Sequence, residues 1–354
     1  MGRILHLISQ LEEGGAQRLL SNVVTLSKRH QVEVATLISS PSEKLFPFFR
    51  NCDVPVHFLS NSADFYNPGI LPALRKLLKE QRYSLVQCWL FESIVQGVMA
   101  CRIENVPVIA SPRNMRMLLQ LNRHRLWERF LIRKVIPFAD LSLFPSYSTA
   151  MDFLHAGWVD FQRLRVVRNG VDCAHFQPDG HGNALVAVGR LAAEKGFEFL
   201  GKVVRRLRTF FPQLRCIVAG GGRGELPPEL EHVLFADDVR KVYKQAAVYI
   251  STSWVEGLSV ALLESQAMGI PAVVRRIGPN SEVIDHGVNG FLARSEEEYV
   301  SSCKTLMEDA DLRSAMGTNA RAAALKRFSI EKQVEEMESV HDELIAAPVL
   351  QTAL

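Results

Sequence analysis

Glu256 and Glu264 stand eight positions apart across the start of a predicted helix. Glu256-Gly257-Leu258-Ser259 is polar and flexible, and Ser259 suits an N-cap. Val260 to Met268 are helix-compatible until Gly269 ends the run and Pro271 forbids continuation. Glu256 therefore belongs to a loop and Glu264 to the helix, one turn inside. At about 1.5 Å per residue they lie at most roughly 12 Å apart, too far to share a proton but suited to the two ends of one extended ligand. A carboxylate receives vicinal hydroxyls through both oxygens, and such charge-assisted bonds contribute roughly 1.5–3 kcal/mol each. The ligand implied carries two hydroxyl-rich ends.

Strands must position this pair. Val248 to Ser251 before it and Pro271 to Val274 after it read as buried strands, so the helix opens at a strand's carboxyl end, where open parallel sheets bind ligands. Glu-Gly-Leu-Ser-Val-Ala-Leu-Leu-Glu followed by Ser-Gln-Ala-Met-Gly-Ile-Pro (256–271) resembles the signature of the retaining nucleotide-sugar glycosyltransferases of family 4. That resemblance implies a GT-B fold, two Rossmann-like α/β domains with parallel sheets facing a cleft. It also implies Glu264 on the ribose hydroxyls and Glu256 on the hexose of a nucleotide diphosphate sugar, with Gly257, Leu258 and Ser259 at the donor.

Gly189-Arg190-Leu191-Ala192-Ala193-Glu194-Lys195-Gly196 follows a predicted strand and precedes a helix at 197–210. Arg190 as a planar fork and Lys195 as a mobile point charge can converge there on a diphosphate. The family places an Arg and a Lys at this spacing, where they neutralise charge on the leaving phosphate; Arg190, Lys195 and Glu256 are thus the expected catalytic residues. Asn280 or Ser281 would cap a further short helix whose free N–H groups receive the donor phosphates, although Pro279 stands where the family usually has a second glycine.

In the first half, Glu12-Glu13-Gly14-Gly15 joins a strand to a helix, and Gly14 and Gly15 allow backbone to approach a ligand closely. It is neither a dinucleotide fingerprint nor a P-loop. Resemblance implies that this loop reaches donor and acceptor. Arg113 and Asn114 stand near the point where many family members carry a histidine against the donor sugar. With Trp89 and Glu92, after the strand 85–89, they are the candidates for the acceptor side.

Strand alternates with helix as far as Asn289-Gly290-Phe291-Leu292, after which only helices are expected, at about 296–308, 311–327 and 330–345; the alternation is the pattern of a parallel sheet covered on both faces. Strands are expected at 4–8, 32–38, 55–59, 85–90, 106–111 and 141–146, then at 184–188, 214–219, 233–235, 248–251 and 271–274. A polar stretch near Pro178 to Asn183 reads as a linker. The expected division is 1–175 for an acceptor-side domain, 176–328 for a donor domain and 329–354 for a helix that, by resemblance, crosses back to the first domain.

At 354 residues and 47% hydrophobic content the chain suits two soluble globular domains. No run of 18 apolar residues occurs and no signal-peptide pattern opens the sequence, so a cytoplasmic protein is expected, if anything peripheral on the inner face of the cytoplasmic membrane. Six cysteines without paired spacing predict buried thiols rather than disulfides or zinc. Asp309-Ala310-Asp311 matches a metal motif of another glycosyltransferase fold, but Asp311 reads as a helix cap; Asp237-Asp238 likewise begins a helix. No metal and no cofactor are expected, the substrate being a UDP- or GDP-sugar.

The net charge of +3 is unevenly spread: residues 1–176 hold 21 Lys and Arg against 14 Asp and Glu, residues 177–354 hold 20 against 24. Within the basic half, the predicted helix Arg123–Ile136 sets Leu126, Trp127, Phe130, Leu131 and Val135 on one face, with Arg125, Arg129 and Arg133 beside them. This is the pattern of a helix lying on an anionic membrane, where a glycan or lipid-linked acceptor would be presented. Two other classes stay open. A non-hydrolysing nucleotide-sugar epimerase would share the architecture without needing an acceptor. A nucleic-acid-binding protein would suit the basic half, yet no helix-turn-helix, zinc-finger or RNA-recognition signature is present, and no nucleic-acid partner is expected.

Overall fold

A computed structural model describes residues 1–12, 14–39, 47–50, 52–113, 126–180, 182–222, 224–234 and 238–347. The chain forms two compact units, Met1–Arg168 with Gln333–Leu354, and Asn169–Lys332.

In the first unit the order is β1 (Arg3–Ile8), α1 (Gly15–Leu26), β2 (Gln31–Thr36), α2 (Pro47–Arg50), β3 (Val56–Phe58), α3 (Ile70–Gln81), β4 (Leu85–Trp89), α4 (Phe91–Glu104), β5 (Val108–Ser111), α5 (Leu126–Val135), β6 (Leu141–Phe144), α6 (Tyr147–His155) and β7 (Leu164–Val166). The strands pair in parallel in the order β3-β2-β1-β4-β5-β6-β7. Every residue of β4 and β5 is buried, as a strand covered on both faces requires. Helix α3 presents Ile70, Leu74 and Leu78 to the core at helical spacing.

The second unit runs through β8 (Ala184–Val188), α7 (Phe197–Leu207), β9 (Cys216–Ala219), β10 (Glu231–Val233), α8 (Arg240–Tyr243), β11 (Ala246–Ser251), α9 (Val260–Ala267), β12 (Ala272–Arg275), α10 (Gly278–Ser281), β13 (Gly290–Ala293), α11 (Glu296–Glu308) and α12 (Ala310–Arg327). Its parallel order is β10-β9-β8-β11-β12-β13. One face of the sheet packs Leu262, Leu263 and Ala267 of α9; the other packs Leu200, Val203, Val204 and Leu207 of α7. Helix α13 (Ile330–Ala346) follows, and from Gln333 onward it belongs to the first unit. There Glu338 accepts hydrogen bonds from the backbone N–H groups of Lys28 and Arg29, at 2.7 and 2.8 Å.

In both sheets the order reverses direction once, between β1 and β4 and between β8 and β11. These are the points at which crossover connections leave on opposite faces and the carboxyl-end loops part to admit a ligand.

Three expectations change. Gly290–Ala293 is a sixth strand, paired with β12, where the sequence showed only four apolar residues before the helices. Asp309, not Asp311, caps α12: its backbone is extended and its carboxylate accepts the Leu312 N–H at 2.8 Å. Asp238 precedes α8 as expected but is held by Arg240 at 2.7 Å, which brings its pKa down to about 2; Asp237 lies outside the described residues.

Candidate functional site

The loops that follow β8 and β11, the two strands at the switch point of the second sheet, carry Lys195 and Glu256. Lys195 Nζ lies 2.6 Å from Glu256 Oε1, with 19% and 12% of the two side chains exposed. An ammonium has three N–H donors, so this bond leaves others for phosphate oxygens. Gly189 makes room for the lysine, because a Cβ there would stand 3.3 Å from Lys195 Cε. Arg190 projects from the same loop. It is 59% exposed and its Nη2 lies 3.5 Å from Glu194 Oε1, an i,i+4 surface contact that holds it weakly.

Ser259 caps α9 as expected, its Oγ accepting the Leu262 N–H at 3.3 Å. Gly257, Leu258 and Ser259 are all buried, and the Leu258 carbonyl accepts from Asn169 Nδ2 at 2.7 Å. One turn on, Glu264 is 2% exposed, and the Tyr243 hydroxyl lies 2.9 Å from its Oε2. Tyr249 is buried in β11. Burial, then the charge of Glu256, pushes its phenol well above the usual range, with a smaller push from Glu264. The structure thus brings Lys195 to Glu256 and Tyr243 to Glu264.

Asn280 and Ser281 do not cap α10. The residue before that single turn is Ile277, whose side chain accepts nothing. Buried Asn280 instead reaches back through Nδ2 to the Arg275 carbonyl at 2.9 Å, and Ser281 Oγ donates to the Ile277 carbonyl at 3.1 Å.

In the first unit the candidates lie at the carboxyl ends of neighbouring strands. Gly14 is the N-cap of α1 and has no side chain to offer, so the first N–H groups of α1 keep no side-chain cap; Gly15 is exposed. Glu92, in the first turn of α4, accepts from Ser9 Oγ at 2.9 Å, a contact that joins the loops after β1 and β4. Trp89 is fully buried, with its Nε1 donating to His6 Nδ1 at 3.2 Å, which removes it from the residues able to line an acceptor site. Arg113, 8% exposed, stacks on the Trp89 ring at 4.9 Å, and burial brings its pKa down to about 10. Asn114 lies outside the described residues. Leu90, between β4 and α4, has φ 71° and ψ 164°, a conformation almost confined to glycine that costs on the order of 1–3 kcal/mol.

Helix α5 divides its apolar residues between two sides. Ile132 and Val135 are buried, while Trp127 and Phe130 are 50% and 65% exposed beside exposed Arg133 and Lys134. Val135 therefore leaves the outward face that the sequence assigned to it. Arg123 and Arg125 lie outside the described residues, as do the side chains of Leu126 and Arg129. No helix among the described residues is long and apolar enough to cross a membrane.

Tyr243 was missed in the sequence because nothing in its own spacing marks it; only the fold brings α8 against α9. The Lys195–Glu256 contact was missed for a similar reason, since the two residues lie 61 positions apart.

Two family models match. The one described as Glycosyltransferase Family 4 covers residues 13–175, and the one described as Glycosyl transferases group 1 covers residues 174–323. Among curated relatives, "Sulfoquinovosyl transferase SQD2" of Arabidopsis thaliana is 28% identical over 54% of this chain and 42% of its own length. The Escherichia coli "UDP-Gal:alpha-D-GlcNAc-diphosphoundecaprenol alpha-1,3-galactosyltransferase" is 22% identical over 78% of this chain and 79% of its own. The chain spans about half the length of several of the curated relatives that it matches. Among solved structures, Anabaena Alr3699/HepE in complex with UDP and glucose superposes with a TM-score of 0.83 at 20% identity, over 97% of this chain and 100% of that one. At that identity the likeness shows the fold, which is GT-B.

Proposed function

Because the chain belongs to the family 4 glycosyltransferases, we propose that it transfers a hexosyl-type sugar from a nucleotide diphosphate sugar to a glycan or lipid-linked acceptor, with retention of configuration. The observation that carries this reading is the Lys195–Glu256 contact at a switch point, with the buried carboxylate of Glu264 one turn inside the helix that follows. Glu264, held by Tyr243, receives the ribose hydroxyls. Glu256 receives hydroxyls of the hexose, and Lys195 spans from Glu256 to the diphosphate. As the bond to the anomeric carbon breaks, negative charge gathers on the leaving phosphate, where Lys195 and Arg190 offset it without a metal ion. In front-face attack the departing phosphate itself takes the acceptor's proton, so no separate base is needed. A UDP-sugar donor is supported by the solved relative that holds UDP and glucose.

The Escherichia coli relative, named for a diphosphoundecaprenol-linked substrate, supports an acceptor carried on lipid. Exposed Trp127 and Phe130 beside Arg133 and Lys134 support docking of α5 on an anionic bilayer, where such an acceptor resides. The test of mechanism is the anomeric configuration of the product, followed by proton NMR from the first turnover: an α-linked donor must give an α-linked product. A β-linked product would overturn the retaining mechanism.

A further inference from the structure

At the carboxyl end of β12 the side chain of Arg275 is 6% exposed, and among the described residues it pairs with no carboxylate. Its guanidinium carbon lies 3.4 Å from the centroid of the Trp254 ring and 4.9 Å from that of Phe199. Nε donates to the Thr252 carbonyl at 3.1 Å; Nη2 is buried and has no hydrogen-bond partner among the described residues.

Burying a cation without a counter-charge is destabilising, and an apolar side chain would fill a slot between two rings at less cost. Packing alone therefore does not account for an arginine here. What the arginine touches does. Thr252 Oγ1 lies 3.0 Å from the carbonyls of both Lys195 and Gly196, and Trp254 N donates to the Glu194 carbonyl at 2.8 Å. Gly196 has φ +68°, and a Cβ there would stand 2.7 Å from the Thr252 carbonyl, so the two loops interlock backbone against backbone. One of these loops carries Lys195 and the other leads two residues later to Glu256.

We propose that Arg275 is the positioning residue of the Lys195–Glu256 pair. Its planar fork, stacked against two aromatic rings, fixes the Thr252 carbonyl and the Trp254 ring; through the Thr252 hydroxyl and the Trp254 amide it fixes the backbone on which Lys195 is mounted. A lysine could keep the charge but neither the stack nor the fork. The catalytic part of the proposal rests on the donor-site reading above.

The test pairs hydrogen exchange with kinetics in Arg275→Lys, Thr252→Val and Thr252→Ser. In the first two variants, the amides of Trp254 and Gly196 should exchange about tenfold faster or more while peptides from β4 keep the parent rate. Turnover should fall about tenfold or more with donor KM within about twofold, the signature of a displaced catalytic group rather than a lost donor contact. Thr252→Ser keeps the hydroxyl and should restore both. Unchanged exchange, parent turnover in either of the first two variants, or a raised KM with kcat intact would overturn the proposal. If the parent releases no nucleoside diphosphate from any donor, the glycosyltransferase reading fails, while exchange at the Trp254 amide still decides whether Arg275 holds the loops.

Discussion

Lys195 Nζ and Glu256 Oε1 lie 2.6 Å apart, joining the loops that follow two adjacent strands, β8 and β11. In the proposed reading this contact would stand at the junction between the diphosphate and the sugar of the donor. Taking either away leaves a partly buried charge without its partner, which couples the two residues beyond their separate contacts with donor.

The two glutamates should fail in different ways. Glu264→Ala removes a contact made alike in ground and transition states and should mainly raise donor KM; Glu256→Ala borders the reacting sugar and should mainly lower kcat. Tyr243→Phe, which deletes the hydroxyl 2.9 Å from Glu264, should raise KM in the same direction but less. Steady-state kinetics with varied donor check this, and parent-like constants in both glutamate variants would refute the assignment.

Lys195→Ala and Arg190→Ala should each lower turnover on the order of 10²-fold, the scale for losing one preorganised donor to developing charge. Among the described residues Arg190 is paired with Glu194 alone, at 3.5 Å in an exposed setting, so its loss should leave thermal stability near the parent's. Chelation by EDTA should do little. Activity that vanished with EDTA and returned with Mg²⁺ or Mn²⁺ would contradict the metal-free reading.

Acid should destabilise the first unit through its buried histidines. Burial brings His6 down to about 3 from the usual 6.5, and His341, bonded through Nε2 to Gln87 Oε1 at 2.7 Å, also lies well below its usual value. His6 is neutral when folded and protonated when unfolded at pH 5, so the unfolded chain binds more protons, and His341 acts in the same direction. Stability should be full above about pH 6.5 and fall by on the order of 1–2 kcal/mol through His6 by pH 5. Thermal melts between pH 5 and 8 measure this, and His6→Gln should flatten the slope. A melting temperature independent of pH over that range would be inconsistent with it.

Vesicle co-sedimentation tests α5. The parent should sediment with anionic vesicles at low salt and much less with neutral ones or at high salt, since each basic residue near such a surface contributes about 1 kcal/mol. Trp127→Ala with Phe130→Ala should weaken binding without loss of fold, because both side chains are already exposed. Absence of binding to anionic vesicles at low salt would rule the docking out.

Most of the fold was legible because strands buried on both faces appear as short apolar runs and their helices show one-sided apolar spacing. β13 escaped notice because four residues are too few to show a period. The places of the candidate residues were legible where they depend on local chain, as with Ser259 capping α9 and Glu264 one turn inside it. What escaped depends on distant pairing. Tyr243 on Glu264 and Arg275 under Trp254 have no local signature, and Trp89 stood among the acceptor-side candidates because strand ends and buried strand interiors share the same residue types.

Incubation of the protein with a panel of UDP- and GDP-sugars, with and without membrane-extracted acceptors, while nucleoside diphosphate release is followed, decides whether it is a glycosyl transferase of this kind. Release is expected from one donor class, rising strongly with acceptor and lost in Glu256→Gln. A sugar isomerised without acceptor, or no release from any donor, would contradict glycosyl transfer.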